Sequence, residues 1–122
     1  MSHQSRICAV FFDAQASTYE ATCAFWSAAL GREPVPETGN KYTTLPGDLE
    51  IVIQNAKPEH DGMHLDMETD NVEAEVARLE ALGARIKYKI KDWVVMEAPG
   101  GHAFCVVPVY TDTWPASTTT WD

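Results

Sequence analysis

The sequence predicts an α+β fold built from two tandem βαβββ modules. Residues 7–13 and 64–70 are both seven-residue segments that end in Asp, and an amphipathic helix follows each. Each predicted helix ends in Leu-Gly, and each module later carries a Pro-Gly pair that opens an apolar stretch. The matched features recur at offsets of 57, 52 and 53 residues, as expected for an internal repeat. The later pairs are Leu30-Gly31 with Leu82-Gly83, and Pro46-Gly47 with Pro99-Gly100.

In the first module, an apolar strand precedes a capped helix. Residues 7–12 are continuously apolar, so we expect a buried strand there. Residues 17–20, Ser-Thr-Tyr-Glu, form a predicted capping box that opens the helix. Gly31 is expected to end it, because glycine adopts the left-handed conformation at little cost. The predicted core stripe is Ala21, Phe25, Ala28 and Ala29, and short strands are predicted at 33–36, 41–45 and 49–54.

The second module repeats this order. Residues 64–68 alternate in polarity, which predicts a strand with two unlike faces. Asp70 is the predicted helix cap, with Glu73 three residues later, and Gly83 is the predicted helix end. Leu65 and Met67 belong to one strand face, and His64, Asp66 and Glu68 to the other. The predicted helical stripe is Val72, Val76, Leu79 and Leu82, and strands are predicted at 85–90, 93–97 and 103–107.

The chain length favours one domain. With 122 residues the chain can bury one good core, and each module alone is too small to bury its own sheet. We therefore predict a single domain over residues 1–122 whose modules share a core or a cup. Module one spans about 6–55, module two about 63–109, and a C-terminal tail covers 110–122.

Charge and cysteine content exclude several classes. Nine basic residues stand against 18 acidic ones, and a net charge of −9 argues against nucleic-acid binding. No apolar run reaches the roughly 18 residues of a membrane span, and the first residues do not resemble a secretory signal. The three cysteines are odd in number and form no CxxC pair, so we expect a protein of the reducing cytoplasm.

Several segments together resemble a known superfamily. They are residues 24–31, 64–66, 72–84, and 93–101 running into 104–107. Over residues 6–109 the chain resembles the glyoxalase/bleomycin-resistance/dioxygenase superfamily, which has the vicinal oxygen chelate fold. Within it, the chain is most similar to the small glyoxalase-like domain proteins. The resemblance implies a curled, cup-shaped mixed sheet with flanking helices, a small molecule in the cup, frequently a divalent metal, and a homodimer.

The resemblance also implies where a metal would bind. The four ligand positions of metal-using relatives correspond here to Ile7, Val52, His64 and Cys105. Isoleucine and valine have no lone pair to donate, and the remaining two ligands fall short of the three protein ligands of a catalytic zinc. Asp66 shares the strand face of His64 and could join it on one ion. We therefore predict no family-type metal site and no cofactor, with a divalent metal as the lesser alternative.

The predicted ligand-binding residues each have a structural alternative. His64 is either a ligand contact or general base, with Asp66 as its orienting partner, or a histidine satisfied within the sheet. Cys105 is either a nucleophile or ligand contact, or a small buried apolar residue. Trp93 and Glu97 share a strand face and serve as stacking platform and anionic anchor if that face lines the cup; otherwise Val94 and Met96 line it. Val52 and Gln54 are further lining candidates on one strand face, and Trp114 and Trp121 in the tail are expected to dock on the domain, a dimer partner or the cup mouth.

Three functions follow from these residues. The first is a metal-independent protein that binds or sequesters a small cationic or aromatic molecule, since an acidic, aromatic cup attracts such a guest. The second is a lyase, isomerase or dioxygenase that uses His64, with or without a divalent metal. The third is an interaction module without a small ligand, which a closed cup would favour.

Overall fold

The computed structural model of the protein describes residues 2–57 and 62–122, and in these ranges the chain forms two helices and nine strands. The predicted βαβββ order, repeated once, and the α+β fold class are confirmed, and the tail adds a ninth strand. Neither helix is long and apolar enough to cross a membrane in the part of the chain described. In chain order the elements are β1 (His3–Ala14), α1 (Tyr19–Leu30), β2 (Val35–Pro36), β3 (Tyr42–Leu45), β4 (Glu50–Asn55), β5 (Gly62–Thr69), α2 (Val72–Ala81), β6 (Arg85–Ile90), β7 (Trp93–Glu97), β8 (Ala103–Pro108) and β9 (Thr119–Trp121).

The chain divides into two compact units. The first unit is Ala9–His64, and the second unit is Met1–Cys8 together with Leu65–Asp122. Strand β1 is longer than the predicted 7–12, and its exposure does not follow the continuous apolar run. Cys8 and Ala9 are buried as expected, whereas the side chain of Ile7 is 47% exposed, so the prediction that the whole run is buried is wrong.

In the first unit, α1 covers one face of a four-stranded arrangement. The strand order is β2-β3-β4-β1, and Ala9–Ala14 of β1 pairs in parallel with β4. The side chains of Tyr19, Leu45 and Ile53 form the buried core with Ala14. Cys23 and Trp26 of α1 pack against it, which fixes the face that this helix buries.

The structure corrects two predictions about α1. The helix begins one residue after Thr18, and no side chain caps its N-terminus, so residues 17–20 do not form a capping box. The predicted stripe of Ala21, Phe25, Ala28 and Ala29 lies on the exposed side of the helix. Gly31 ends the helix in the left-handed conformation, with φ of 65°, as predicted.

In the second unit, α2 covers a sheet of mixed direction. The strand order is β1-β5-β8-β7-β6, and β9 pairs antiparallel with β1 at residues 3–5. Strands β5 and β8 are parallel, while β8-β7 and β7-β6 are antiparallel. The core beneath α2 consists of Val76, Val94, Met96, Phe104 and Val106, with Leu65 and Met67 packed against it.

Helix α2 has a different cap from the predicted one. The Asn71 side chain accepts a hydrogen bond from the Ala74 N–H at 3.0 Å, which satisfies one of the unpaired N–H groups of the first turn. Asp70 does not cap the helix; its Oδ1 accepts a hydrogen bond from the Gln4 N–H at 2.8 Å. Val72, Val76 and Leu79 pack inward as predicted, but Leu82 lies past the last helical turn and is 67% exposed.

Candidate functional site

The second unit presents several of the predicted site residues on one sheet face. Val94 and Met96 of β7 are buried beneath α2, so Trp93 and Glu97 point to the face opposite that helix. The same alternation places Asp66 of β5 and Cys105 of β8 on that face, where the two are register partners. Val94 and Met96 belong to the core, so Trp93 and Glu97 are the residues of this strand that remain candidates for ligand contact. Trp93, Glu97, Asp66 and Cys105 are arranged as one surface of this unit.

Glu97 is paired with an arginine that the sequence analysis did not select. Its Oε1 accepts hydrogen bonds from Nε and Nη2 of Arg85, at 2.9 and 2.7 Å. The Arg85 side chain is 70% exposed and that of Glu97 is 24% exposed, so water screens the pair. Glu97 can still attract a cation, but it would share its charge with Arg85.

Asp66 receives a hydrogen bond from the C-terminal tail. The Tyr110 hydroxyl donates to its Oδ2 at 3.2 Å, and the Cys8 thiol donates to its backbone oxygen at 3.6 Å. Burial raises the pKa of Cys8 to about 12, which keeps it a neutral thiol and fits its predicted place in the core. Burial, together with the charge of Asp66, also raises the pKa of Tyr110, so its phenol remains a donor.

Glu68 is a fully buried carboxylate that the sequence analysis placed on the His64 strand face but did not select. Its Oε1 lies 2.8 Å from both Nε and Nη2 of Arg6, and its Oε2 accepts from the Tyr110 and Thr111 N–H groups at 3.1 and 3.2 Å. Burial by itself would raise the pKa of Glu68. The hydrogen bonds from Thr111, the Tyr110 N–H and Arg6 outweigh burial and hold the pKa below its usual value. Glu68 is therefore ionised although it is fully buried within the second unit.

The tail tryptophans dock on the second unit, which is one of the outcomes predicted. Trp121 in β9 donates from Nε1 to the Ser5 hydroxyl at 2.9 Å, and the Arg78 guanidinium lies 3.8 Å from the centre of its ring. Trp114 lies near Arg6, whose guanidinium carbon is 5.7 Å from the ring centre. Both indole rings thus contact a cation, as aromatic faces commonly do.

In the first unit, Val52 and Gln54 share the sheet face opposite α1. Phe12, Ile51 and Ile53 pack toward the helix, so the alternate residues of β1 and β4 point the other way. The register pairs Phe11 with Val52 and Asp13 with Gln54. Two predicted lining residues are thereby placed beside an aromatic ring and a carboxylate that the sequence analysis did not select.

His64 and Asp13 form a largely buried, hydrogen-bonded pair on this face of the first unit. His64 Nδ1 lies 2.6 Å from Asp13 Oδ2, and the imidazole stacks on the Phe11 ring with centroids 4.6 Å apart. A carboxylate only accepts, so Nδ1 carries the proton in the neutral ring and Nε2 is left as the acceptor. Tyr42 meets Phe11 edge-on at 6.3 Å and extends the aromatic surface.

Asp13 also holds a buried oxygen without a partner. Its side chain is 7% exposed, and within residues 2–57 and 62–122 no group donates a hydrogen bond to its Oδ1. A buried acceptor without a hydrogen bond lowers the stability of the fold by about 1–3 kcal/mol, so such atoms are uncommon. A donor from a bound molecule would remove this cost. The sequence contained one signal for Asp13, its repeat equivalence to Asp70, but nothing in the sequence linked it to His64.

The four metal positions implied by the resemblance do not form a ligand set. Ile7 is half-exposed and Val52 is buried, and neither side chain can donate to an ion. His64 uses Nδ1 for Asp13, and Cys105 pairs in register with Asp66. Two of the four positions therefore carry side chains that cannot bind a metal.

A shallow groove of 320 Å³ lies on the other side of the first unit, between α1 and β3. The hydrogen bond between the Tyr19 hydroxyl and Thr43, at 2.7 Å, lies among its lining residues, with Cys23 and Ser27 of α1. Glu20 is the one acid among the residues that line it. Because this groove lacks a buried charge, it offers less specific recognition than the Asp13–His64 site.

The fold and the site define the class of protein. Two βαβββ modules, each with a helix on one sheet face, are the fold that the resemblance implies. The chain belongs to the glyoxalase-like domain family, which matches residues 9–107. The predicted resemblance is confirmed.

Solved structures share this fold at low sequence identity. A protein from Legionella pneumophila described as an NAD-dependent benzaldehyde dehydrogenase has a TM-score of 0.65 and 14% identity, over 84% of this chain and 98% of that one. A glyoxalase/bleomycin-resistance/dioxygenase superfamily member from Vibrio splendidus has a TM-score of 0.60 and 16% identity, over 86% and 99%. An uncharacterised Methanosarcina mazei protein has a TM-score of 0.52 and 14% identity, over 86% and 94%. At these identities the likeness shows the fold alone, and no curated protein sequence matches the chain.

Proposed function

We propose that this protein binds a small organic molecule in which a cationic or hydrogen-bond-donating group is attached to an aromatic system. The observation that carries the proposal is the buried Asp13 carboxylate, whose Oδ1 accepts no hydrogen bond from the described residues. A ligand that donates to this oxygen removes a cost of about 1–3 kcal/mol, so binding is favoured by a group the protein leaves unsatisfied.

The surroundings of Asp13 favour a cation as that donor. Hydrogen bonds with an ionised partner are about twice as strong as neutral ones, and low local polarity strengthens the attraction further. The net charge of −9 adds a field that draws cations toward the protein. An amine or amidine would therefore bind Asp13 more tightly than an alcohol of the same shape.

Aromatic groups beside Asp13 provide the apolar part of the recognition. Phe11, Tyr42 and the His64 ring form a connected aromatic cluster, and a cation near such faces gains about 0.5–2 kcal/mol. Gln54 is the register partner of both Asp13 and Tyr42, which places an amide where it can distinguish ligands by their polar groups. The rings would select ligands by size and aromaticity, and Asp13 would select them by charge.

Several further parts of the proposal come from the sequence analysis. On the second unit, Trp93 would act as a stacking platform and Glu97 as an anionic anchor, with Asp66 and Cys105 as additional contacts. Binding would not require a metal, because two of the four family ligand positions carry hydrocarbon side chains. We also propose a homodimer, as is common in the family, and a cytoplasmic location, which the odd number of cysteines and the lack of a CxxC pair fit.

A second candidate function is catalysis by His64. The Asp13–His64 hydrogen bond has the arrangement of a general base and its orienting carboxylate, with Nε2 available to accept a proton. A lyase or isomerase that removes a proton beside a carbonyl group would use this pair. If a divalent metal took part, His64 would be one of its ligands.

Calorimetric titration with paired ligands tests the binding proposal. The probes are 2-naphthylmethylamine and its neutral isostere 2-naphthylmethanol, offered to the wild type, Asp13→Asn and Asp48→Asn. Asp48 is exposed on the loop before β4 and is the matched control for the charge change. The amine should bind at least about tenfold more tightly than the alcohol, and Asp13→Asn should remove that preference, since 1.4 kcal/mol corresponds to tenfold.

Either of two results would reject this assignment. Equal binding of amine and alcohol by the wild type would remove the role of charge, and an unchanged preference in Asp13→Asn would remove the role of Asp13. The enzyme alternative is measured separately, with carbonyl substrates and with metal content after loading with Mn, Ni, Zn and Fe(II). Turnover or a retained ion that His64→Ala abolishes would place the enzyme first.

A further inference from the structure

The C-terminal segment from Tyr110 to Thr118 lies against the second-unit face that carries Asp66 and Glu68. The Tyr110 hydroxyl donates to Asp66, and two N–H groups and the Thr111 hydroxyl donate to Glu68. Arg6 donates to the hydroxyls of Thr111 and Thr113 and to the Ala116 backbone oxygen. The segment is thus hydrogen-bonded to both members of the buried Arg6–Glu68 ion pair.

The attachments of this segment differ in kind from those of the preceding strand. Val106 of β8 is fully buried in the core beneath α2, whereas no described residue of 110–118 belongs to that core. The segment is held by hydrogen bonds and by the Arg6–Trp114 contact, and much of it is exposed. Parts of a protein with few buried apolar contacts and many exposed hydrogen bonds open at lower free energy than the core.

The segment bonds to groups that are buried in the structure. Asp66 is buried, and Cys8 is 5% exposed with its sulfur 3.5 Å from the Tyr110 hydroxyl. Glu68 is fully buried, although two residues of the segment supply most of its hydrogen bonds. Movement of Tyr110 and Thr111 would therefore uncover a carboxylate face and the thiol of Cys8 together.

We propose that residues 110–118 form a strap that opens as one unit while the rest of the second unit stays folded, and that its opening controls access to Asp66 and Glu68. Uncharged N–H and O–H groups of the strap donate hydrogen bonds to these two carboxylates. Access to the Asp66 face would then be regulated by a segment that lies outside both βαβββ modules.

Hydrogen exchange on the full-length protein tests whether the strap opens as a unit. The Tyr110 and Thr111 amides, which donate to Glu68, should exchange with one common protection factor, at least about tenfold below that of the β8 amides, because opening the strap leaves the core intact. Alkylation with N-ethylmaleimide, read at each cysteine by peptide mapping, should modify Cys8 at a rate that follows strap opening. Cys23 on α1 is the internal reference.

A single substitution should shift this equilibrium in a defined way. Thr111→Val removes one donor to Glu68 and one acceptor for Arg6, and should raise strap exchange and Cys8 alkylation by about tenfold or more. Thr120→Val, at an exposed position of β9, should change neither rate. Unchanged β8 and α2 protection in both variants would show that the unit remains folded.

Three outcomes would overturn the proposal. The strap amides could exchange only at the rate of global unfolding, which would make the segment part of the core. The Tyr110 and Thr111 amides could exchange at unrelated rates, which would indicate fraying. Thr111→Val could accelerate strap exchange while leaving Cys8 alkylation unchanged, which would show that the strap does not control access to this face.

Discussion

Replacing Glu68 by Gln should destabilise the protein far more than the same replacement at Glu97, although an arginine pairs with each carboxylate. Glu68 is fully buried and the Arg6 side chain is 10% exposed, whereas Arg85 beside Glu97 is 70% exposed. Gln removes the negative charge in both places and turns one acceptor into a donor. At position 68 that donor would face N–H groups, and Arg6 would remain as a buried cation without its counter-ion.

The expected magnitudes follow from burial. Breaking a buried ion pair by removing one partner costs about 3–5 kcal/mol. Glu68→Gln keeps one acceptor oxygen and should lie near the lower end, at about 3 kcal/mol. An exposed pair contributes about 0.2–1 kcal/mol because water and salt screen it, so Glu97→Gln should cost less than about 1 kcal/mol. The same chemical change should therefore differ at least about threefold in its effect on the free energy of unfolding.

Urea unfolding followed by tryptophan fluorescence measures both variants. With a urea dependence of about 2 kcal/mol per molar, the midpoint should fall by about 1.5 M for Glu68→Gln and by less than about 0.5 M for Glu97→Gln. Added salt should shrink the Glu97 effect and leave the Glu68 effect nearly unchanged. A Glu68→Gln midpoint within 0.5 M of wild type, as an order-of-magnitude limit, would refute the reasoning that burial decides the value of this ion pair.

Three further predictions concern the caps, the acids and the exposed helix face. Asn71→Ala should cost about 1 kcal/mol of unfolding free energy, since it removes the α2 cap, and an Asn71→Ala variant as stable as the wild type in the same urea experiment would contradict the cap assignment. Burial alone would raise the pKa of Glu75, but hydrogen bonds from Arg78 and His3 hold it below its usual value, as those from Thr111 and Arg6 do for Glu68. The stability that both carboxylates contribute is therefore complete above the unfolded pKa and is lost as pH falls through the folded pKa; a urea midpoint that does not fall in acid would contradict this. Phe25→Ala should change the free energy of unfolding little, because Phe25 is 61% exposed. A loss of about 3–5 kcal/mol, as for a buried Phe, would place Phe25 in the core.

Local signals predicted the order of elements well. The alternation of residues 64–68, the Leu-Gly pairs and the repeated Pro-Gly turns gave the βαβββ order twice, and α1 ends at Gly31 with the expected left-handed geometry. These features depend only on residues close together in the chain, so they can be recognised in the sequence without the tertiary structure. The family resemblance rests on the same local segments.

The buried face of α1 could not be inferred in this way. The helix carries apolar residues on most sides, so more than one stripe fits helical spacing. The structure buries Tyr19, Cys23 and Trp26 and exposes Phe25. Tyr19 can be buried because its hydroxyl bonds to Thr43, a partner 24 residues away that no local pattern reveals.

The sequence by itself determined the fold class, the two modules, the family and which residues of a strand share one face. Only the tertiary structure decided which partners those side chains meet. Asp13 reaches His64 across 51 residues, and the tail reaches Glu68 across more than 40. Periodicity specifies the direction in which a side chain points, whereas the charge or hydrogen bond it finds there is set by strands and tails brought together from distant parts of the chain.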